Sequence, residues 1–346
     1  MRVLVIDDSV FMRTIIKDIL SSDPEIEVVG TAVDGVDALD KIEALSPDLV
    51  TLDIEMPRKT GIEVLEALRV RPARPKVLML SSLTTRDAEM TRHAIELGAD
   101  DFLFKPKGIG DVRGIGDDLV SKVRHLVRYR PVHRTRGAPV AGDEAASRLV
   151  MIGSSAGGPQ QLDTLLSELS PDLNAAVIVT QHMPVGFTAA LAERFRRISD
   201  FPVAETASGD LLTRGRILIS KAGYHTVISG TVGRSGLRSG KVVHSSSSPE
   251  HGVRPAVDRT FASGAQVFGP NALSVILSGM GSDAGAGALA VKQAGGTCLV
   301  CAEEDCLVYG MARSAIERKA VDQVVPLRRM AREIERAVER MEQNDV

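Results

Sequence analysis

The chain has 346 residues, of which 44% are hydrophobic and 25% charged, with a formal net charge of -3. This balance belongs to globular proteins and excludes a fibrous, disordered or membrane-embedded chain, and at roughly 150 residues per domain the length predicts two domains. The first apolar run, Val3-Leu4-Val5-Ile6, is cut short by Asp7 and Asp8, which a signal peptide would not carry, and no apolar stretch approaches a membrane span; the expectation is a cytoplasmic protein without membrane insertion.

In chain order, residues 1–122 alternate strand-like runs with amphipathic stretches. Strands are predicted at Arg2–Ile6, Glu27–Gly30, Leu49–Leu52, Lys76–Leu80 and Asp101–Phe104. This is a doubly wound α/β pattern. Val36, Leu39, Ile42 and Leu45 recur every three residues, which predicts one helix face laid on the sheet. Asp7 and Asp8 follow the first strand, Asp53 ends the third and Lys105 follows the fifth, and carboxyl ends of strands converge on one crevice in such a sheet. Three carboxylates there repel one another unless a hard cation neutralises them. Magnesium suits that donor set, and phosphorylation of Asp53 is the reaction it predicts. Any one of these aspartates alone would be read as a strand end or helix cap.

Val5-Ile6-Asp7-Asp8, Asp53-Ile54-Glu55-Met56-Pro57 and Lys105-Pro106 resemble the receiver domain of two-component response regulators, over residues 1–122. The resemblance implies a flavodoxin-like receiver in which Asp53 accepts a phosphoryl group from a histidine kinase. It places Mg2+ with Asp7, Asp8, Asp53 and Glu55, the phosphoryl contact on Lys105, and the switch pair on Ser81 and Phe102. One departure is Lys59-Thr60-Gly61, where many receivers have a hydrophobic residue and Asp before the Gly.

Residues 123–147 change character. Five arginines, Pro131 and two histidines fall between Arg124 and Arg136, followed by Gly137-Ala138-Pro139-Val140-Ala141-Gly142. This is linker material, and so short a basic run in a chain of negative net charge predicts no nucleic-acid binding. From residue 148 the alternation resumes, with strands predicted at Leu149–Ile152, Ala175–Thr180, Arg216–Ser220, Ser274–Ser278 and Thr297–Val300. The Gly-rich stretch Lys221–Val253 is expected to form a β-hairpin or small antiparallel appendage, giving a mostly parallel sheet with an antiparallel edge. Cys298, Cys301 and Cys306 lack a fourth ligand at zinc-finger spacing and are odd in number, and are read as ordinary core or loop thiols. Met330, Ile334 and Val338 recur every four residues and predict a charged helix after Arg328.

The chemistry of this half gathers at strand ends. Ser155, in Gly153-Ser154-Ser155-Ala156-Gly157, follows a buried strand and precedes a helix, where a nucleophile is displayed beside free helix N–H groups. A serine needs a base, and of seven histidines His182 alone ends a core strand; His225, His244 and His251 fall in the appendage and are given surface or hydrogen-bonding roles. Asp283, in the loop after Ser274–Ser278, brings a carboxylate to the same crevice, although it could equally cap a helix over Ala284–Ala290. The order Ser, His, Asp differs from the Ser, Asp, His of α/β-hydrolases, but such triads recur on unrelated scaffolds.

Gly153-Ser154-Ser155-Ala156-Gly157-Gly158, Gln181-His182-Met183-Pro184, Arg254-Pro255-Ala256-Val257-Asp258 and Gly279-Met280-Gly281-Ser282-Asp283 resemble the catalytic domain of the chemotaxis protein-glutamate methylesterases, the CheB family. With the receiver, the resemblance spans nearly the whole chain. It implies a Ser155–His182–Asp283 triad with the Met280 N–H in the oxyanion hole, and a phosphorylation-activated hydrolase with no cofactor for the hydrolysis. Its substrates would be glutamate methyl esters, and receptor glutamines, of methyl-accepting chemoreceptors. The family usually has threonine where this chain has Ala156. That departure supports a rival reading, a response regulator whose esterase-like domain acts as a binding module.

Overall fold

The computed structural model divides into two compact units, Met1–Arg130 and Pro131–Val346. It describes residues 1–71, 74–81, 97–105 and scattered positions between 90 and 127 of the first unit, and residues 144–232 and 238–344 of the second.

The first unit holds β1 (Arg2–Ile6), β2 (Glu27–Ala32), β3 (Leu49–Asp53), β4 (Lys76–Ser81) and β5 (Asp101–Phe104) in one parallel sheet of order β2-β1-β3-β4-β5. Successive residues of a strand face opposite ways, so β1 sends Leu4 and Ile6 into one apolar cluster and Val3 and Val5 into another, one on each face. Helices α1 (Val10–Ser21), α2 (Gly35–Leu45) and α3 (Gly61–Arg69) begin where the sequence supplies caps: Ser9, Asp34, and Thr60 in a capping box with Glu63. The three-residue spacing in α2 marks its core face at three of four positions, Ile42 being buried and Leu39 and Leu45 packed against the same cluster, and fails at Val36. Gly35, Ala38 and Ile42 are buried, while Val36 is exposed, because a strict period of three drifts around a helix of 3.6 residues per turn.

The second unit is built on a seven-stranded sheet: β6 (Leu149–Ser154), β7 (Ala176–Gln181), β8 (Val203–Glu205), β9 (Ile217–Ile219), β12 (Ala272–Ile276), β13 (Thr297–Cys301) and β14 (Gln323–Val325). The order is β14-β13-β12-β6-β7-β9-β8 and every pairing is parallel. The antiparallel piece is therefore no edge of this sheet. It is a separate hairpin of β10 (His225–Val232) and β11 (Arg238–Ser245), whose Ile228 and Val242 join the core beside Phe268. The helices are α4 (Gly158–Glu168), α5 (Phe187–Ile198), α6 (Val257–Phe268), α7 (Gly285–Gln293), α8 (Gly310–Glu317) and α9 (Leu327–Asn344).

From β6 the chain winds out through β7 to β8 and β9, then returns across to β12 and β13 on the other side. The carboxyl ends of β6 and β12 thus flank the point where the winding reverses, the usual ligand crevice of an open α/β sheet. Residues expected as linker contribute to both units. Val123 and Leu126 are buried with the first core, and Ala146 is buried in the second, with its N–H on Leu212 O. No helix among the described residues is long and apolar enough to cross a membrane.

Candidate functional site

In the first unit the ends of β1, β3 and β5 bring Asp7, Asp53 and Lys105 together. Lys105 Nζ lies 2.7 Å from both Asp7 Oδ2 and Asp53 Oδ2. Burial pushes the Asp53 carboxyl up to about 6; the Lys105 ammonium pulls it back, and Asp7 and Asp8 add repulsion. Gly61 is required beside it, since a Cβ there would run into Asp53 O, and Thr60 caps the helix that starts at this glycine. The departure in the Lys59-Thr60-Gly61 loop thus leaves the wall of the pocket intact. Ser81, at the end of β4, is buried and its carbonyl accepts the Lys105 N–H. Phe102 is half-buried against the core cluster containing Val77 and Met79.

The donor set fits a hard divalent cation. Ligand oxygens of Asp7, Asp8 and Asp53 lie within 4.8 Å of one another, and one lysine leaves two negative charges uncompensated there. Asp7 Oδ2 is buried, and its partner is the Lys105 ammonium that it shares with Asp53. The carboxylate of Glu55, exposed two residues beyond Asp53, is not one of the three.

In the second unit, Ser155 follows β6, His182 follows β7 and Asp283 follows β12 by a loop, three neighbouring strands. His182 Nε2 lies 2.7 Å from Asp283 Oδ2. Asp283 also accepts the backbone N–H groups of Val257 at 2.7 Å, Asp258 at 2.8 Å and Ala284 at 2.9 Å. Burial would raise this carboxyl, but the bonds from His182 and the backbone outweigh it and hold it ionised, below its ordinary value. Asp283 does not cap the following helix: α7 begins at Gly285, and its cap position is Ala284 in the left-handed region.

With Nε2 engaged, Nδ1 is the His182 nitrogen left for a proton. Among the described residues no hydrogen bond joins it to Ser155 Oγ. The nucleophile turn is fixed by its backbone: Ser155 N–H donates to Ser278 O at 2.9 Å, and His182 N–H to Ser154 O at 3.0 Å. Gly279 packs against it so tightly that a Cβ would lie 3.0 Å from Ser155 Cβ and run into Met311 Sδ. The next residue, Met280, is exposed, and among the described residues its N–H has no acceptor. Ala156 O accepts the Ser278 hydroxyl at 2.6 Å, a backbone role that tolerates alanine.

Two groups beside the crevice were not singled out for chemistry from the sequence. His251 Nε2 is 2.9 Å from Asp258 Oδ2 and 3.9 Å from Asp283 Oδ1, and Asp258 also accepts the Gly287 N–H at 2.5 Å. His251 has φ 54°, and this turn carries it out of the hairpin to the crevice rim. His225 and His244 keep hydrogen-bonding roles: His225 is buried between Ser248 O and the Ala256 N–H, and His244 stacks on Tyr224 and contacts Thr206 Oγ1.

An acidic pocket facing a lysine on a 2-1-3-4-5 sheet, joined in one chain to a parallel-sheet unit of serine-hydrolase layout, defines a response regulator with an enzyme-like effector. Comparison with known proteins makes this specific. Residues 3–114 match the response regulator receiver domain and residues 150–334 match CheB methylesterase. A protein-glutamate methylesterase/protein-glutamine glutaminase 1 of Methanospirillum hungatei is 53% identical over 341 residues, covering 98% of this chain and 99% of that one. Its counterpart in Symbiobacterium thermophilum is 41% identical, with 97% of each covered. The crystal structure of the Thermotoga maritima CheB methylesterase catalytic domain matches at 34% identity with a TM-score of 0.52, covering 57% of this chain and 99% of that one. The chain belongs to the CheB methylesterase family.

Proposed function

We propose that this chain hydrolyses the γ-methyl esters of chemoreceptor glutamates, and deamidates receptor glutamines, under control of phosphorylation at Asp53. The observation that carries the reading is the 2.7 Å bond from His182 to a threefold-anchored Asp283 beside Ser155. The relatives' printed names, which pair methylesterase with glutaminase, support the same substrates.

Ser155 Oγ attacks the ester carbonyl while His182 Nδ1 takes its proton, and Asp283 steadies the imidazolium and fixes its tautomer. The oxyanion that forms is met by the Met280 N–H, which has no acceptor among the described residues; one such donor is worth about a hundred- to thousandfold in rate. His182 then protonates departing methanol, or ammonia from a glutamine. A water deprotonated by His182 cleaves the acyl-enzyme to free glutamate and Ser155. No cofactor takes part in this half.

In the receiver, Asp7, Asp8 and Asp53 would hold Mg2+, which supplies charge neutralisation for phosphoryl transfer. The Asp53 carboxylate attacks phosphorus of the phosphodonor, the phosphohistidine of a histidine kinase in the cell, as the P–N bond breaks and the imidazole leaves with a proton, and Lys105 and Ser81 bond the phosphoryl oxygens added there. Ser81 and Phe102 carry the change to the surface of the unit. The setting is cytoplasmic, where receptor helices and kinase are accessible.

The test is methanol release from methylated receptor, with and without a small phosphodonor plus magnesium, by the wild-type chain, Ser155→Ala and Asp53→Asn. Release that depends on Ser155 and rises with phosphodonor only when Asp53 is intact is the expected result. A wild-type chain that releases none under any condition is a binding module.

A further inference from the structure

Two of the three cysteines lie against the machinery described above, although nothing in their sequence spacing links them to it. β13 ends at Cys301, the turn Glu303–Asp305 follows, and Cys306 comes next; Cys301 is buried and Cys306 half-buried. Both sulfurs meet one amide group. Gln161 Nε2, on α4 directly after the Ser155 turn, is 3.5 Å from Cys301 Sγ, 3.7 Å from Cys306 Sγ and 2.8 Å from Asp305 O. The same side chain reaches the oxyanion loop, its Oε1 accepting the Ser278 N–H at 2.6 Å. Ser278 in turn holds the nucleophile turn through the Ser155 N–H and Ala156 O.

A second route runs along the backbone. Two residues after Cys306, Val308 accepts the Gly279 N–H at 2.9 Å and donates to Ser278 Oγ at 3.0 Å. Leu307, between them, fills the space over Gly157 that a Cβ would need. The segment 306–308 is therefore part of the support for both Ser155 and Met280.

The two thiols are chemically unequal. Cys306, the more exposed of the two, is held below the usual thiol range by the neighbouring Cys301 thiol and by Gln161, against burial, while Cys301, fully buried, is driven up. That inequality supplies a nucleophile and a resolving partner in adjacent positions. Cys298 is not in this set: three residues before Cys301, it faces the other side of β13, buried among core residues such as Val291 and Val300.

We propose that Cys301 and Cys306 are a site of reversible disulfide formation by low-molecular-weight disulfides, and that closing it slows hydrolysis by loosening Gln161 and the 306–308 support. The Cys306 thiolate attacks one sulfur of the reagent RSSR, giving a mixed disulfide and expelling RS–. Cys301, giving up its proton, attacks Cys306 Sγ and expels the second RS–. Two protein thiols are oxidised and one RSSR is reduced to two RSH. The bond draws the sulfurs to about 2.05 Å and takes both away as acceptors for Gln161.

The site itself stands apart from the esterase reading; only its effect on rate rests on that reading. The experiment exposes the full chain, reduced, to oxidised glutathione and records intact mass and methanol release. The expected mass change is the loss of two hydrogens, in wild type and Cys298→Ser alike, absent in Cys301→Ser and Cys306→Ser, and reversed by dithiothreitol. Methanol release should fall about tenfold in step with that change and recover on reduction, as displacement by about 1 Å can cost a hundredfold. A stable glutathione adduct without ring closure, no mass change, or closure with unchanged rate would each overturn the proposal. Absence of methanol release from the reduced chain would instead count against the esterase reading, with the mass result still deciding the site.

Discussion

Asp53 is ionised at neutral pH only at a cost. Its carboxyl is buried among Asp7 and Asp8, Lys105 offsets the repulsion in part, and its folded value is about 6 against an ordinary 3.8. A carboxyl raised on folding favours the folded state's neutral form, so the cost is absent below the unfolded value near 3.8 and fully present above about 6. In the metal-free full chain, Asp53→Asn should therefore stabilise the first unit at pH 7 by about 1–3 kcal/mol, the gain vanishing as pH falls toward 4. Thermal melts of both proteins across that range decide it; a wild type at least as stable as Asp53→Asn at pH 7 would show that Lys105 already settles the charge. This residue was legible because receiver chemistry is local, each group falling next to a strand end. His251 and Asp258 were less so. Their approach to Asp283 depends on a left-handed residue in a turn and on three hydrogen bonds that bring α6 to the crevice, and neither has a signature in spacing.

At the level of elements, long buried strands announced themselves as apolar runs, whereas β8 and β14, three residues each, did not. Val203 is the one fully buried residue of β8, and Val325 of β14, so neither carries a pattern to read. Their place at the two edges of the sheet is fixed by neighbours already formed. The helix expected after Arg328 was legible, since its period of four held: Met330, Ile334 and Val338 are all buried, with arginines and glutamates outside. Its anchoring was not, because Glu335 accepts the Ser170 N–H and Glu342 the Asn174 amide, both far away in sequence. Ile334 has no exposed surface, so Ile334→Ala should cost the second unit about 2–5 kcal/mol. Urea unfolding should register that loss. A change below about 1 kcal/mol would mean the helix is replaceable packing.

For the whole molecule, joining a switch to a hydrolase makes sense only if phosphorylation of Asp53 and the competence of the crevice are coupled, and linkage sets the size of that coupling. A tenfold activation needs a differential of about 1.4 kcal/mol between the two states, within the 1–3 kcal/mol typical of coupled sites. If the unphosphorylated receiver restrains the second unit, removing it should give at least the activity that phosphorylation gives. The fragment must keep Glu144–Ala146, since Glu144 O accepts the Arg214 N–H, Ala145 bridges Thr213 and Ala146 N–H bonds Leu212 O; a cut at 148 would strip these and blur the outcome with instability. A chain of residues 144–346 is therefore expected to release methanol without phosphodonor at least about tenfold faster than the unphosphorylated full chain, and to gain nothing from phosphodonor and magnesium. Full-length Asp53→Asn should stay at the slow rate under both conditions. A fragment no faster than the unphosphorylated full chain, beside a full chain that still responds to phosphodonor, would mean that the phosphorylated receiver promotes catalysis rather than ceasing to oppose it.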